Sequence, residues 1–199
     1  MKKLTLATLS TLAFTLASTN VFAVDGTITV NGVVTDQTCT LQSDGRFESS
    51  GLKDITVNLR ALPKSIFKPE VTMTWGVDLY LKNATGTGPC DAATTQAFKG
   101  IHLSVTSPDH LDATDKTILV NQATGAGGAS AANPVFMRFI TDDFRPVDFS
   151  ASWESQAKSL PRNNGGNIFV QYLAAVFSKT GVVDAQNYTA KINYTIHYN

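Results

Sequence analysis

From Val71 to Leu81 every second residue is apolar: Val71, Met73, Trp75, Val77, Leu79 and Leu81 alternate with a series that includes Thr72, Thr74 and Asp78. A period of two belongs to a β-strand, whose successive side chains point to opposite faces, so the run predicts a strand with one buried and one wetted side. Trp75 falls on the apolar side and is assigned to the core, Asp78 to the wetted one. Shorter runs that predict strands are Ile55–Leu59, Ile101–Val105, Thr117–Val120, Val135–Ile140 and Ile168–Leu173. Clusters of Gly, Asn, Pro and Ser at Asn83–Pro89, Gly125–Pro134 and Pro161–Gly166 punctuate them as turns. Leu62–Phe67 and Ser152–Lys158 are each long enough for a single helical turn. Many short strands joined by turns predict an all-β domain, a sandwich or barrel.

The beginning of the chain predicts export. Lys2 and Lys3 precede an apolar stretch from Leu4 to about Ala17, and Val21-Phe22-Ala23 supplies the small residues of a signal-peptidase site. The alternative, a membrane anchor, needs roughly 20 apolar residues, and this Thr-interrupted stretch is shorter. Residues 1–23 are therefore expected to be removed, leaving 176 of the 199 residues and, with Lys2 and Lys3 gone, turning the balance of 16 cations and 16 anions into a net −2. A near-neutral chain lacks the basic surplus of nucleic-acid binders, and no later segment is apolar for long enough to span a membrane. An oxidising compartment also favours pairing Cys39 with Cys90. The rival reading, two free thiols in redox or nucleophilic work, finds no Cys-x-x-Cys spacing and no neighbouring His.

Both ends of the mature chain alternate as well. Val24, Gly26, Ile28 and Val30 share one parity against Asp25, Thr27, Thr29 and Asn31, and Ile192, Tyr194, Ile196 and Tyr198 share one against Lys191, Asn193, Thr195 and His197. Periodicity alone is equally satisfied if these are the first and last strands of a closed sandwich. Gly26 is unusual in such a strand, because a glycine there packs nothing and often marks close approach of another backbone.

Taken together, these residues resemble the structural subunits of chaperone–usher fimbriae, of the type 1 and P pilus kind. Gly26–Val34 is similar to the donor segment running into the first strand of that family, which approaches its first Cys through Thr35-Asp36-Gln37-Thr38. Val77–Asn83 followed by Cys90 resembles the strand leading to the second Cys, with Ala84–Pro89 inserted. Asn133–Phe149 resembles a strand, turn and strand, Phe169–Ala174 the aromatic strand before the last hairpin, and the penultimate Tyr198 a hallmark of the family. One departure stands out: Gln186 occupies a position where the family usually has Gly.

The resemblance implies an incomplete immunoglobulin-like β-sandwich lacking its last strand, with an N-terminal donor-strand extension. The divisions expected are a signal peptide at 1–23, a donor segment at 24–34 and the pilin domain at 35–199. In this family a periplasmic chaperone lends the missing strand, an outer-membrane usher catalyses exchange, and the donor segment of a neighbouring subunit replaces the chaperone's strand. Carried onto this chain, Val24, Gly26, Ile28 and Val30 would enter the neighbour's groove, and Ile192, Tyr194, Ile196 and Tyr198 would form the strand bordering it. The product would be a homopolymer at the cell surface, a fimbrium. An adaptor or adhesive subunit that binds a host receptor is the competing expectation. Two-domain adhesins of the family are nearly twice as long and carry no donor segment.

Catalytic patterns are sparse. Asp109-His110-Leu111-Asp112 places a His between two acids but reads as a polar loop after Pro108, His102 opens a strand, His197 lies on the polar parity of the last one, and Asp142-Asp143 reads as a turn. Trp153 is expected to pack rather than stand free. No nucleophile–base, phosphate-loop or metal-ligand spacing occurs, so the chain is expected to be no enzyme and to need no cofactor or metal.

Overall fold

The computed structural model describes residues 39–43 and 53–198. In chain order the elements are β1 (Thr40–Ser43), β2 (Thr72–Lys82), α1 (Ala92–Ala97), β3 (Phe98–Val105), β4 (Leu119–Val120), β5 (Phe136–Thr141), β6 (Arg162–Asn164), β7 (Asn167–Phe177) and β8 (Ile192–Tyr198), with single 3-10 turns at Lys64–Ile66 and Pro108–His110. They form a sandwich of two antiparallel sheets. The larger sheet runs β1-β2-β7-β5-β4, with β6 folded back onto β7, and the smaller joins β3 to β8. The signal peptide at 1–23 and the segment carrying Val24, Gly26, Ile28 and Val30 lie outside the described residues.

The long alternating run forms β2, which pairs with β7 from Thr72↔Phe177 to Tyr80↔Phe169. Val77, Leu79 and Leu81 are buried and Met73 and Trp75 half-buried against the core, as their parity requires. Val71 does not follow: it precedes the strand and is 40% exposed. Asp78 also departs from expectation. It is buried, and its carboxylate accepts a hydrogen bond from Nε2 of Gln171, its cross-strand partner, at 2.6 Å. β7 lies between β2 and β5, so Ala174 stands in register between Trp75 and Phe139, a small side chain between two large ones that lets the layer close. Tyr172 is fully buried at the centre, its hydroxyl accepts the Ser159 N–H at 3.3 Å, and burial pushes its phenol up to about 12.

Other expected elements shift. Thr117–Val120 contracts to the two residues of β4, whereas Ile168–Leu173 extends into the eleven-residue β7. Ile55–Leu59 joins no named strand, though Ile55 forms a bridge. Leu62–Phe67 contains the 3-10 turn. Ser152–Lys158 closes one hydrogen-bonded turn, Gln156 N–H to Ser152 C=O at 2.8 Å, without becoming a helix. The α-helix lies instead at Ala92–Ala97, where Asp91 caps the N-terminus by accepting the Thr94 N–H at 2.9 Å.

Cys39 and Cys90 are joined by a disulfide with Cα atoms 5.8 Å apart. The inserted Ala84–Pro89 delivers Cys90 to this place. Asn83 organises it, its side-chain oxygen accepting from Thr87 N at 3.1 Å and its N–H donating to Gly88 C=O at 3.0 Å, so that the chain doubles back beside Thr40. A bridge across 51 positions restricts the unfolded chain by about 4 kcal/mol in the loop-entropy description. The double variant Cys39→Ser/Cys90→Ser is therefore expected to melt roughly 8–16 °C lower by circular dichroism, and an unchanged Tm would contradict this.

Gly181 closes the turn after β7 with φ of +78°, and a Cβ there would lie 2.3 Å from Pro69 Cδ. Gly181→Val combines a disfavoured backbone with a steric overlap, costing about 2–5 kcal/mol. A fall in Tm of roughly 5–15 °C is expected, and equal melting of the variant and the unaltered chain would refute the account.

Candidate functional site: the edge of the small sheet

β8 places Ile192, Tyr194, Ile196 and Tyr198 on one side of the strand, half-buried and packed against the core, while Lys191, Asn193 and Thr195 face water. Pairing with β3 sets the register: Val105↔Ile192, Leu103↔Tyr194, Ile101↔Ile196 and Phe98↔Tyr198, the last with ring centroids 6.3 Å apart. Among the described residues β3 is the only strand that pairs with β8.

The segment Lys53–Arg60 meets this region through its side chains and carbonyls. Ile55, Val57 and Leu59 are half-buried against the same core, and Asp54, Thr56 and Asn58 are exposed. Two tyrosines tie it to the C-terminal part of the chain. Tyr194 donates its hydroxyl to the Lys53 carbonyl at 2.8 Å, and Tyr188 donates to the Arg60 carbonyl at 3.1 Å. Burial raises both phenols, with the Asp54 carboxylate adding to the effect at Tyr194, so both remain protonated donors at neutral pH. The sequence marked Tyr194 by its parity. It gave no sign of either bridge, because the partners are carbonyls more than a hundred positions away.

The far edge of β3 is closed by a side chain. Gln156 is buried, its Oε1 accepts the Leu103 N–H at 2.9 Å, and its Nε2 donates to the Leu103 carbonyl at 2.8 Å and to Asp148 C=O at 2.7 Å. The amide thus gives Leu103 the two bonds a neighbouring strand would give. The same loop lays Trp153 flat on His197, centroids 4.0 Å apart, with Lys158 Nζ 4.5 Å from the indole and His102 edge-on to His197 at 6.1 Å. Desolvation, then the neighbouring His102, lower the His197 imidazole from its ordinary value. Gly100, opposite His197 in the ladder, takes a backbone conformation at φ +131° that residues with a Cβ rarely adopt.

Gln186, where a glycine was expected, does not adopt a positive φ. Its side chain ties the loops together: Oε1 accepts from Asn121 Nδ2 (3.0 Å), Ser130 N (3.1 Å) and Val135 N (3.2 Å), and Nε2 donates to the carbonyls of Asn133 (2.8 Å) and Asp184 (3.2 Å). The Pro108–His110 turn is held by His110 Nδ1 against Thr106 Oγ1 at 2.8 Å, and Lys179 holds the Asp112 carboxylate well below the usual range. Among the described residues the one metal-capable grouping is Cys39, Cys90 and Asp91, whose thiols are consumed by the disulfide. No described helix is long and apolar enough to cross a membrane.

No protein-family model matches the sequence, and no curated protein matches it. Among solved structures, the P pilus rod subunit PapA matches with a TM-score of 0.54 at 20% identity, over 87% of this chain and all of that one. The two share the pilin type of immunoglobulin-like β-sandwich.

Proposed function

We propose that this chain is a structural subunit of a bacterial surface fimbria and that it polymerises by strand addition between copies. The observation that carries the reading is that β8 and the segment Lys53–Arg60 pack apolar side chains on one core and that Tyr194 and Tyr188 join the segment to the C-terminal part of the chain. Val24, Ile28 and Val30 supply side chains for the added strand, each contributing roughly 1.5–3 kcal/mol when fully buried and before ordering costs. The division into 1–23, 24–34 and 35–199 follows from this reading, as do delivery by a periplasmic chaperone, exchange at an outer-membrane usher and residence at the cell surface. The chemistry required is recognition by main chain and apolar side chains, without a catalytic step.

The test is electrophoretic. Polymer held by an inserted strand withstands detergent at room temperature as a ladder and collapses to monomer on harsh heating. Gly26→Val places a branched side chain where the donor has no Cβ and is expected to abolish the ladder while the subunit accumulates. A normal ladder from this variant would overturn the assignment of Gly26, and monomer from the unaltered chain under all conditions would overturn the reading itself.

A further inference from the structure

The two oxygens of the Asp91 carboxylate face different groups. Oδ1 caps α1 by accepting the Thr94 N–H at 2.9 Å, and Oδ2 lies 3.7 Å from Cys90 Sγ. One carboxylate oxygen stands within 4.8 Å of both sulfurs of the Cys39–Cys90 disulfide. The cysteines are 8% and 9% exposed, whereas Asp91 faces water. An exposed anion therefore lies against an almost covered disulfide.

Local structure keeps the anion in this place. Asp91 follows Cys90 directly, its carbonyl accepts the Thr95 N–H at 2.9 Å to open the helix, and Thr95 Oγ1 donates to the Cys90 carbonyl at 3.4 Å. An exposed carboxyl group that accepts a main-chain N–H is ionised at neutral pH. The cation of the adjoining ladder is directed elsewhere. Lys82, opposite Thr40, donates from Nζ to Asn167 Oδ1 at 3.2 Å and sits 5.5 Å from the centre of the Tyr80 ring.

We propose that Asp91 guards this disulfide electrostatically, slowing its opening by thiolates, and by thiolates on an anionic body most of all. The inference stands apart from the polymer reading. In the opening reaction a thiolate sulfur attacks one sulfur of the bridge, the S–S bond breaks as the new bond forms, and the electron pair departs on the other cysteine as a thiolate. A second thiolate then attacks the mixed disulfide, freeing the remaining cysteine and carrying the two small thiols away as their own disulfide. Two electrons have then passed to the protein, and each cysteine takes up a proton. Both displacements share negative charge among three sulfurs. A fixed anion a few ångströms away opposes that charge, and it opposes the approach of an anionic reagent as well. In water, unit charges about 5 Å apart correspond to roughly a fourfold change in rate. The bridge joins the start of β1 to the start of α1, and the guard keeps that joint closed in surroundings that contain anionic thiols.

The test compares the unaltered chain with Asp91→Asn, which has the same shape and caps a helix equally well. Folded protein is opened with 2-mercaptoethanesulfonate, whose body is anionic, or with cysteamine, whose body is cationic. Free thiols are alkylated at intervals, and rates are expressed per thiolate. At low salt Asp91→Asn is expected to open about three- to tenfold faster than the unaltered chain with the sulfonate, and by a smaller factor with cysteamine. Salt at about 1 M is expected to bring the two sulfonate rates together. Equal rates with the sulfonate at low salt overturn the guard. Acceleration that is the same for both thiols and indifferent to salt overturns it too, since it reports a loosened loop and not a lost charge. Asp91→Ser, another uncharged cap, is held to the same outcomes and serves as the neutral chain if Asp91→Asn folds poorly.

Discussion

A chain lacking Ile192–Asn199 is expected to yield no stable folded subunit. β8 pairs with β3 from Ile192 to Tyr198, and its removal uncovers Ile101 and Leu103, which are buried beneath it. Four apolar side chains leave the core at once, each with up to roughly 1.5–3 kcal/mol of burial. The Tyr194 bridge to Lys53 goes with them, loosening the facing segment. The loss is comparable to the whole stability of a domain, about 5–15 kcal/mol. Immunoblots of cells and their medium should show the truncated chain at a small fraction of the full-length level, with rapid cleavage in limited proteolysis. Accumulation of a protease-resistant truncated protein would contradict the account.

The second large effect concerns assembly rather than folding. With Ile28→Asp, a carboxylate replaces a branched apolar side chain that the proposed exchange carries into a neighbour's core. Burying an unpaired charge costs several kcal/mol, and 3 kcal/mol corresponds to about a hundredfold in an equilibrium constant. The detergent-resistant ladder is expected to disappear at equal subunit level, while the unassembled subunit melts like the unaltered one. A ladder of normal intensity would remove Ile28 from the donor assignment. A lowered monomer Tm would place Ile28 within its own subunit's core.

Much of the architecture was readable because it is local. Alternation over Val71–Leu81 specified β2 to within a residue at either end, since a strand with one buried face has no freedom to shift by one position without inverting every side chain. What escaped was set at a distance. Asp78 sits on the polar parity, yet Gln171 across the ladder buries and satisfies it. Ile55–Leu59 has the composition of a strand, and strand pairing depends on partners its own residues do not specify. The helix at Ala92–Ala97 is too short to show a 3.6-residue period and was signalled only by Asp91 three positions before Thr94. Gln156 and Gln186 could not be found from any motif, because their amides act by reaching main-chain groups in other loops. The β8 residues of the candidate site were legible by parity. Tyr188 and the carbonyls of Lys53 and Arg60 were not, being brought together by the folded chain alone.

The amide of Gln156 on Leu103 also limits how many relatives a molecule can join sideways. With the Leu103 N–H and C=O already taken, a ribbon arriving at the outer margin of β3 would lose two of its bonds at the middle of the strand, which favours the other margin of the small sheet. In the proposed polymer, subunits that receive one ribbon and lend one would be threaded in series, giving an unbranched fibre and no gel.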